Sequence, residues 1–585
     1  MRKIAICNSV GIDKNGYYII HSPSRWSWGQ KNNKNAFTYY PWELAYCSSL
    51  LKRETNEKIK FFDGCLKKYN VETYFNVLAE FKPDFLVMEP SGRTLETDKE
   101  LMQKIKNEFN TKLIVCGPIA TAFPQNVAQW ADFVCIGEYE YTVLDIIKGK
   151  ENISGLYPNG FRDLIDVDLL PFPEDEDVSR FEYAIPGEPN CEYLEIQAYA
   201  SRGCPLKCSF CVCGNLYYKK ANWRPRAINS IISEIKYLKE KYPKMEGIFF
   251  DEEIHNGSKK FIKDLCNAII ENGLNNLKFN AMCCYYNLDE EIIELMKKAG
   301  YYKLRIGIET ASEKTAAGIG MLKKYDLLKL EKVLESAKKI GMKIYGTFTI
   351  GAPGSTFEED LKTAELVENF TSRGLITDAQ FSINTPQPGT PFYWWAKQNG
   401  FLISENFIDY DGGNTVVVDR PDYPASKVKE AFDLILKKYD EGLERFRSSE
   451  LVEKYYNSLK KINVNAERFL LLRSSRMWQI NIFIQALKKC IENKQIDIIC
   501  QPIIEEEVRK NKEIKNIYFY NNGFFSFDIF LKNKELVYLK NKYDYTIVFC
   551  NNTTTYGYEE VIKIAEFLSW KKIIVLNNGE IKVDG

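Results

Sequence analysis

The residues best equipped for chemistry stand in one short stretch, Ser201-Arg-Gly-Cys204-Pro-Leu-Lys-Cys208-Ser-Phe-Cys211. Three thiols spaced C-x3-C-x2-C in a loop containing Gly and Pro can wrap one face of a cubane iron–sulfur cluster, which ordinarily takes four thiolates. Three protein ligands leave one iron open, and an open coordination position is what a metal site keeps when it reacts. The competing readings are a structural zinc site completed by Cys213 and a chance group of buried thiols. Structural zinc usually draws its ligands as two separated pairs. Here no second pair lies nearby, and the only histidines are His21 and His255. The reactive cluster is the stronger reading.

The spacing, the extended run Glu192 to Ala200 before it and the Arg-Gly-Cys-Pro lead-in resemble the radical S-adenosylmethionine (SAM) enzymes. The resemblance implies a [4Fe–4S] cluster on Cys204, Cys208 and Cys211, with the open iron chelated by the amino and carboxylate groups of SAM. An electron from the cluster then cleaves SAM to a 5′-deoxyadenosyl radical. A low-potential electron donor such as flavodoxin or ferredoxin and a small-molecule substrate follow as expected partners. Phe210 matches the aromatic that the family places near the adenine.

These thiols must be positioned by the elements around them. After the loop, strand and helix patterns alternate: Gly247–Asp251, Lys278–Cys283, Leu304–Gly307, Lys343–Ile350 and Ala379–Asn384, with amphipathic stretches such as Ile228–Leu238 between them. With the strand before the loop, this predicts a partly closed parallel (β/α)6 barrel over residues 191–400. Chemistry in such barrels sits at the carboxyl ends of strands. The second strand ends Phe250-Asp251-Glu252-Glu253, where Glu252 or Glu253 is expected to hold the SAM ammonium by charge-assisted hydrogen bonds. On the fourth, alternation puts Arg305 and Glu309 on one face. Buried charges need partners, so an inward Arg305 and Glu309 are expected to bind the methionyl carboxylate and the ribose or amine. The fifth ends Gly351-Ala-Pro-Gly354, resembling the family's Gly-x-Pro-Gly turn. Glycine admits close backbone approach, so Gly351 and Gly354 are candidate adenine contacts; an ordinary tight turn is the alternative. Asn384-Thr-Pro386-Gln-Pro-Gly-Thr390 resembles the segment that closes the family's barrel. Arg224 and Arg226 either neutralise the anionic cluster and SAM carboxylate or merely pair on the surface.

In residues 1–150 apolar runs again alternate with helical patterns, predicting an open, doubly wound parallel sheet. Ligands of such sheets bind beyond the carboxyl ends of the strands, where the loops carry Ser91-Gly92, Gly117-Pro118 and Gly137-Glu138. The phrases Tyr40-Pro-Trp-Glu-Leu-Ala-Tyr46, Cys116-Gly-Pro and Gly137-Glu-Tyr-Glu-Tyr-Thr142 resemble the cobalamin-binding domain that precedes many radical SAM cores. That resemblance makes Ser91, Gly117, Gly137 and Glu138 candidate cobalamin contacts. The D-x-H-x-x-G loop that gives cobalt a lower histidine in many such domains is absent, which fits the radical SAM subclass that binds cobalamin without one. The whole implies a cobalamin-dependent radical SAM methylase acting on an unactivated carbon. Its rivals are a non-methylating cyclase or rearrangement enzyme, and a methylthiotransferase with a second cluster on N-terminal thiols such as Cys7 and Cys47.

Residues 151–190 hold five prolines and the acidic run Glu174-Asp-Glu-Asp177, and read as an ordered linker with a solvated acidic face. Residues 401–490 read as a helical extension, with Lys427–Arg447 and Glu450–Lys461 as helices. Residues 491–585 read as a small α/β domain on the strands Ile496–Cys500, Ile517–Tyr520, Thr546–Cys550 and Lys572–Leu576. Lys+Arg and Asp+Glu both number 79, so no electrostatic footprint for nucleic acid is expected. No apolar run of membrane-spanning length occurs. The sixteen cysteines are scattered through apolar runs and, with no secretory leader read at the N-terminus, predict a reducing cytoplasm.

Overall fold

The computed structural model describes residues 1–13, 16, 18–21, 27–29, 37–462, 466–491 and 494–584. It divides into two compact units, residues 1–364 with 375–435, and residues 365–374 with 436–585.

The first unit opens with a five-stranded parallel sheet of β1 (Lys3–Asn8), β2 (Lys58–Asp63), β3 (Phe85–Met88), β4 (Lys112–Val115) and β5 (Phe133–Val134), in the order β2-β1-β3-β4-β5. Alternation along β1 sends Ile4 and Ile6 into one apolar core and Ala5 and Cys7 into another, all fully buried. Both faces are therefore covered, which is why the strand reads as a continuous apolar run rather than an alternating one. Strand order reverses between β1 and β3, the switch point at which doubly wound sheets open a crevice for a ligand.

A second parallel sheet follows from β6 (Glu195–Ala198), β7 (Gly247–Phe250), β8 (Lys278–Cys283), β9 (Tyr301–Glu309), β10 (Lys343–Ile350) and β11 (Asp378–Ile383). Neighbours pair in sequence order and β6 does not meet β11, so the barrel is partial, as expected. Its floor is closed by the linker: Lys303 Nζ donates to Asn190 O at 2.8 Å, and Arg305 Nη2 donates to Pro189 O. The linker departs from expectation at its acidic run. Glu174 and Asp175 are buried, Glu174 by Lys52 and Ser48 and Asp175 by the hydroxyls of Tyr237 and Tyr242. A buried carboxylate is tolerable there because each has charged or hydroxyl partners.

In the second unit β12 (Arg468–Leu472), β13 (Gln495–Cys500), β14 (Ile514–Phe519), β15 (Tyr545–Phe549), β16 (Lys572–Val575) and β17 (Ile581–Asp584) form a sheet of order β14-β13-β12-β15-β16-β17, parallel except for β17. The sheet starts at Arg468 and its first helix spans Met477–Cys490, both inside the segment expected to be a helical extension. The five-residue apolar run of β12 is indistinguishable by period from a buried helical turn. The two expected charged helices are one, Ala425–Ile462. Among the described residues no helix is long and apolar enough to cross a membrane.

Candidate functional site

The cysteine loop leaves the barrel just after β6. Ser201–Arg202 pairs antiparallel with Arg224–Pro225, which pins the base of the loop. At Gly203 φ is +97°, and a Cβ there would stand 2.3 Å from Asn222 Oδ1, so only glycine fits the turn into Cys204. Further bonds hold its shape: Asn222 N–H donates to Cys204 O at 2.9 Å, and Asn215 Nδ2 donates to the carbonyls of Cys208 and Cys211 at 2.8 and 2.7 Å. Residues Cys213–Tyr217 then form a π-helical turn, a device frequent at functional sites.

Cys204, Cys208 and Cys211 are partly exposed, whereas eleven of the sixteen cysteines are buried. The three thiols lie within electrostatic reach of one another. Burial, then a neighbouring thiolate, pushes the Cys208 thiol well up, and burial takes Cys204 to about 12. Cys211 is instead lowered, because the Cys213 thiol and the amides of Cys213 and Gly214 donate to its sulfur. Among the described residues no three His, Cys, Asp or Glu side chains converge on a single-ion site. Thiols that take separate corners of a cubane need no such convergence. Part exposure, mutual repulsion relieved by a cation and amide donors to sulfur all fit a cluster.

The strand ends around this loop sort the remaining candidates. Glu253 is joined to it: its carboxylate accepts from Gly203 N at 3.0 Å and from Tyr218 OH at 2.6 Å. Glu252 is fully buried and engaged elsewhere, its Oε1 2.7 Å from His255 Nδ1, with His255 Nε2 in turn 2.7 Å from Tyr301 OH. Arg305 is inward-facing and buried, with Nε donating to Asn280 Oδ1 at 3.1 Å and the guanidinium 4.1 Å from the Phe249 ring. Asp251 lies near it, pushed well above the carboxylate range by burial despite the Arg305 charge. Glu309 follows a β-bulge and holds φ +65°, a backbone conformation rare outside glycine. Its Oε1 accepts from Thr347 Oγ1 at 3.3 Å, and burial raises its carboxyl to about 7. Strain held at a strand end beside a reactive loop is typical of a functional position.

Gly351 and Gly354 have φ +74° and +81°, and a Cβ on them would meet Val428 Cγ1 at 2.8 Å and Lys314 O at 3.0 Å. Internal packing and left-handed backbone thus account for both glycines. Their turn lies against the helix Glu313–Ile319, whose Ile319 O accepts from Ser209 N at 2.8 Å, so the fifth strand end props the cysteine loop. Phe210 lies between two apolar clusters, one with Phe392 and Tyr393 and one with Ile319 and Met321.

Three charged candidates already have partners within the protein. Glu138 is buried, pairs with Arg202 at 3.1 Å and Arg224 at 2.9 Å, and accepts from Ile165 N. Burial alone would raise its pKa, but the two guanidiniums hold it below the usual range. Arg224 and Arg226 are likewise spent, the first on Glu138 and the second on Glu234. The reading missed Arg202 and Glu140, 2.7 Å apart, and Glu89, which accepts from Tyr139 OH at 2.7 Å and Tyr217 OH at 3.3 Å. The acid-aromatic alternation of Gly137-Glu-Tyr-Glu-Tyr was the available signal: its side chains brace the N-terminal sheet to the cysteine loop.

At the β1/β3 switch point a pocket is lined by Asn8, Thr38, Tyr39, Cys65 and Glu89, with Ile19, Ile20 and Leu44 on its apolar side. The segment forming it reaches the barrel, since Tyr40 N donates to Gln197 Oε1 at 3.0 Å. Ser91 closes a turn with Thr94, and Gly117 and Gly137 hold φ +91° and +75° at neighbouring strand ends. The His21 side chain lies outside the described residues, and His255 is committed to Glu252 and Tyr301. The pocket lies where a doubly wound sheet takes a ligand, but with a volume of about 20 Å³ it does not hold a corrinoid as it stands. Cys7 and Cys47 lie in different apolar cores, which gives a second cluster no shared face.

Residues 199–367 match the radical SAM superfamily. An uncharacterised methyltransferase of Pyrococcus horikoshii is 28% identical over 390 residues, covering 63% of this chain and 81% of its own length. The bacteriochlorophyllide d C-8(2)-methyltransferase of Chlorobaculum tepidum is 25% identical over 363 residues, covering 59% and 76%. The solved radical SAM methyltransferase TsrM of Kitasatospora setae, with cobalamin and a [4Fe–4S] cluster bound, superposes with a TM-score of 0.56 at 15% identity, covering 83% of this chain and 99% of that one.

Proposed function

We propose that the chain is a radical SAM enzyme and, within that family, a cobalamin-dependent methyltransferase acting on an unactivated carbon of a small molecule. One observation carries this reading: three part-exposed thiols on a braced loop at the carboxyl edge of a parallel barrel, preceded in the chain by a doubly wound parallel sheet. The relatives named as methyltransferases support it. When bound, the cluster supplies the electron that splits SAM and cobalamin carries the methyl group; the protein positions both.

Within this reading, Cys204, Cys208 and Cys211 give three thiolates, and Glu253 fixes the loop through the Gly203 amide. Arg305 offers charge to the polar ends of SAM from inside the barrel, and the carboxyls of Glu309 and Asp251, both raised by burial, offer it hydrogen bonds. Asn8, Thr38, Tyr39 and Glu89, which line the switch-point pocket, and Ser91, Gly117 and Gly137 at neighbouring strand ends are the residues that would face a corrinoid. The test is anaerobic reconstitution with iron, sulfide and cobalamin, followed by product analysis with methyl-labelled SAM. Label in the product supports the methyltransferase; 5′-deoxyadenosine without label would reject methyl transfer and leave a cyclising or rearranging enzyme.

A further inference from the structure

The chain carries equal numbers of basic and acidic residues, yet its charge is not evenly spent. Some lysines elsewhere in the fold sit in ion pairs, such as Lys52 with Glu174 and Lys106 with Asp132, while others, such as Lys104 and Lys297, rest on a ring or a carbonyl. Around the cysteine loop stand five outside ion pairs. Lys207 lies between two of the thiols, and Lys219 and Lys220 follow the π-helical turn; Lys207 Nζ donates to Lys219 O at 3.3 Å, so these charges share one rim. On the facing side, Lys324 and Lys329 follow the helix whose Ile319 carbonyl holds Ser209, and Tyr285 OH donates to Lys324 O at 2.7 Å. None of the five forms an ion pair with a carboxylate of the described residues. Asp326 stands between the last two, with its carboxylate accepting from Lys329 N as a helix cap.

The same rim exposes apolar side chains. Phe161 lies 3.6 Å beneath Lys219 Nζ and is 37% exposed. Tyr286, under Lys329 at 4.5 Å, is 39% exposed, and Leu322 and Leu328 are 43% and 75% exposed. Aromatic and aliphatic contacts among unpaired charges of one sign describe a surface that meets a complementary protein transiently.

We propose that this lysine rim is the docking surface of an acidic, low-potential one-electron carrier protein that reduces the cluster held by the cysteine loop. The step is an outer-sphere transfer: the carrier is oxidised by one electron, the cluster reduced by one, and no atom or proton changes place. The inference rests on the cysteine loop holding a cluster and adds where the electron enters.

The test uses the reconstituted full chain and two acidic probes, a bacterial flavodoxin and a bacterial ferredoxin, with dissociation constants measured by anaerobic calorimetry across a salt series. At least one probe is expected to bind with steep salt dependence. The variant Lys219→Glu, Lys220→Glu, Lys324→Glu is expected to weaken it tenfold or more and to flatten the salt slope. Cluster absorbance and dithionite-driven SAM cleavage stay unchanged, because a small reductant needs no docking. Binding of neither probe, equal binding by the variant, or salt-sensitive capture of transfer RNA at this rim in place of both carriers would overturn the proposal. If a carrier docks as described while the product carries no label, the methyl-transfer reading fails alone; if label is transferred but the variant binds as tightly, the docking surface fails alone.

Discussion

Asp98 is fully buried, with Ser9 Oγ donating to Oδ1 at 2.9 Å and Oδ2 unpartnered. Burial raises its carboxyl from 3.8 to about 7, against the Thr94 and Ser9 hydrogen bonds. A carboxyl raised on folding favours the folded state below its unfolded pKa, and that advantage is lost as pH climbs through about 7. Asp98→Asn should therefore match the parent near pH 4 and exceed it at pH 8 by on the order of 2–4 kcal/mol, read from urea unfolding of the apo protein at both values. Equal stability at pH 8 would mean the carboxyl is solvated or ionises normally. At the cysteine loop, Cys208→Ala is expected to lose the visible cluster absorbance and all SAM cleavage; retained cleavage would refute its assignment as a ligand. The thiols were legible in the sequence because their spacing lies within one loop. Glu138 was not, since its partners Arg202 and Arg224 arrive from elements 64 and 86 residues away.

The elements were legible wherever period and length agreed. Every barrel strand was anticipated, because each apolar run is short and followed by an amphipathic stretch. The second unit was harder. The helix Met477–Cys490 is buried on most of its surface and shows little alternation of face, and Ser448-Ser449 looked like a break in what is one helix. The brace between the N-terminal sheet and the cysteine loop was invisible, since ion pairing across elements leaves no periodic trace. Its removal makes a prediction at this scale. Glu138→Gln leaves Arg202 with Glu140 and strips Arg224 of its carboxylate. Breaking a buried pair on one side costs about 3–5 kcal/mol, and here the part-exposed Arg224 and the retained Glu140 put the result at the low end. Faster amide exchange through residues 199–211 and lower iron content after reconstitution are expected, with Glu138→Asp retaining more of both. Unchanged exchange would show that the antiparallel pairing of Ser201–Arg202 holds the loop by itself.

For the molecule as a whole, each unit encloses apolar cores of its own, the first around two large sheets and the second around one. Separate cores unfold as separate cooperative transitions when little else couples them. Scanning calorimetry of the apo chain should resolve two, and SAM added with the cluster in place should shift only the one belonging to residues 1–364 and 375–435. A single transition that moves as one would show the units to be energetically fused. The partial closure of the barrel has its own consequence. Between β6 and β11 no ladder hydrogen bonds cross, and β11 is latched at one point, where Ile383 N–H donates to Gly413 O at 2.7 Å. The wall can thus widen along that seam without unzipping any strand pair, so the girth of an admitted molecule is governed by how residues 411–415 lie against Ser382, and not by the diameter of a rigid ring.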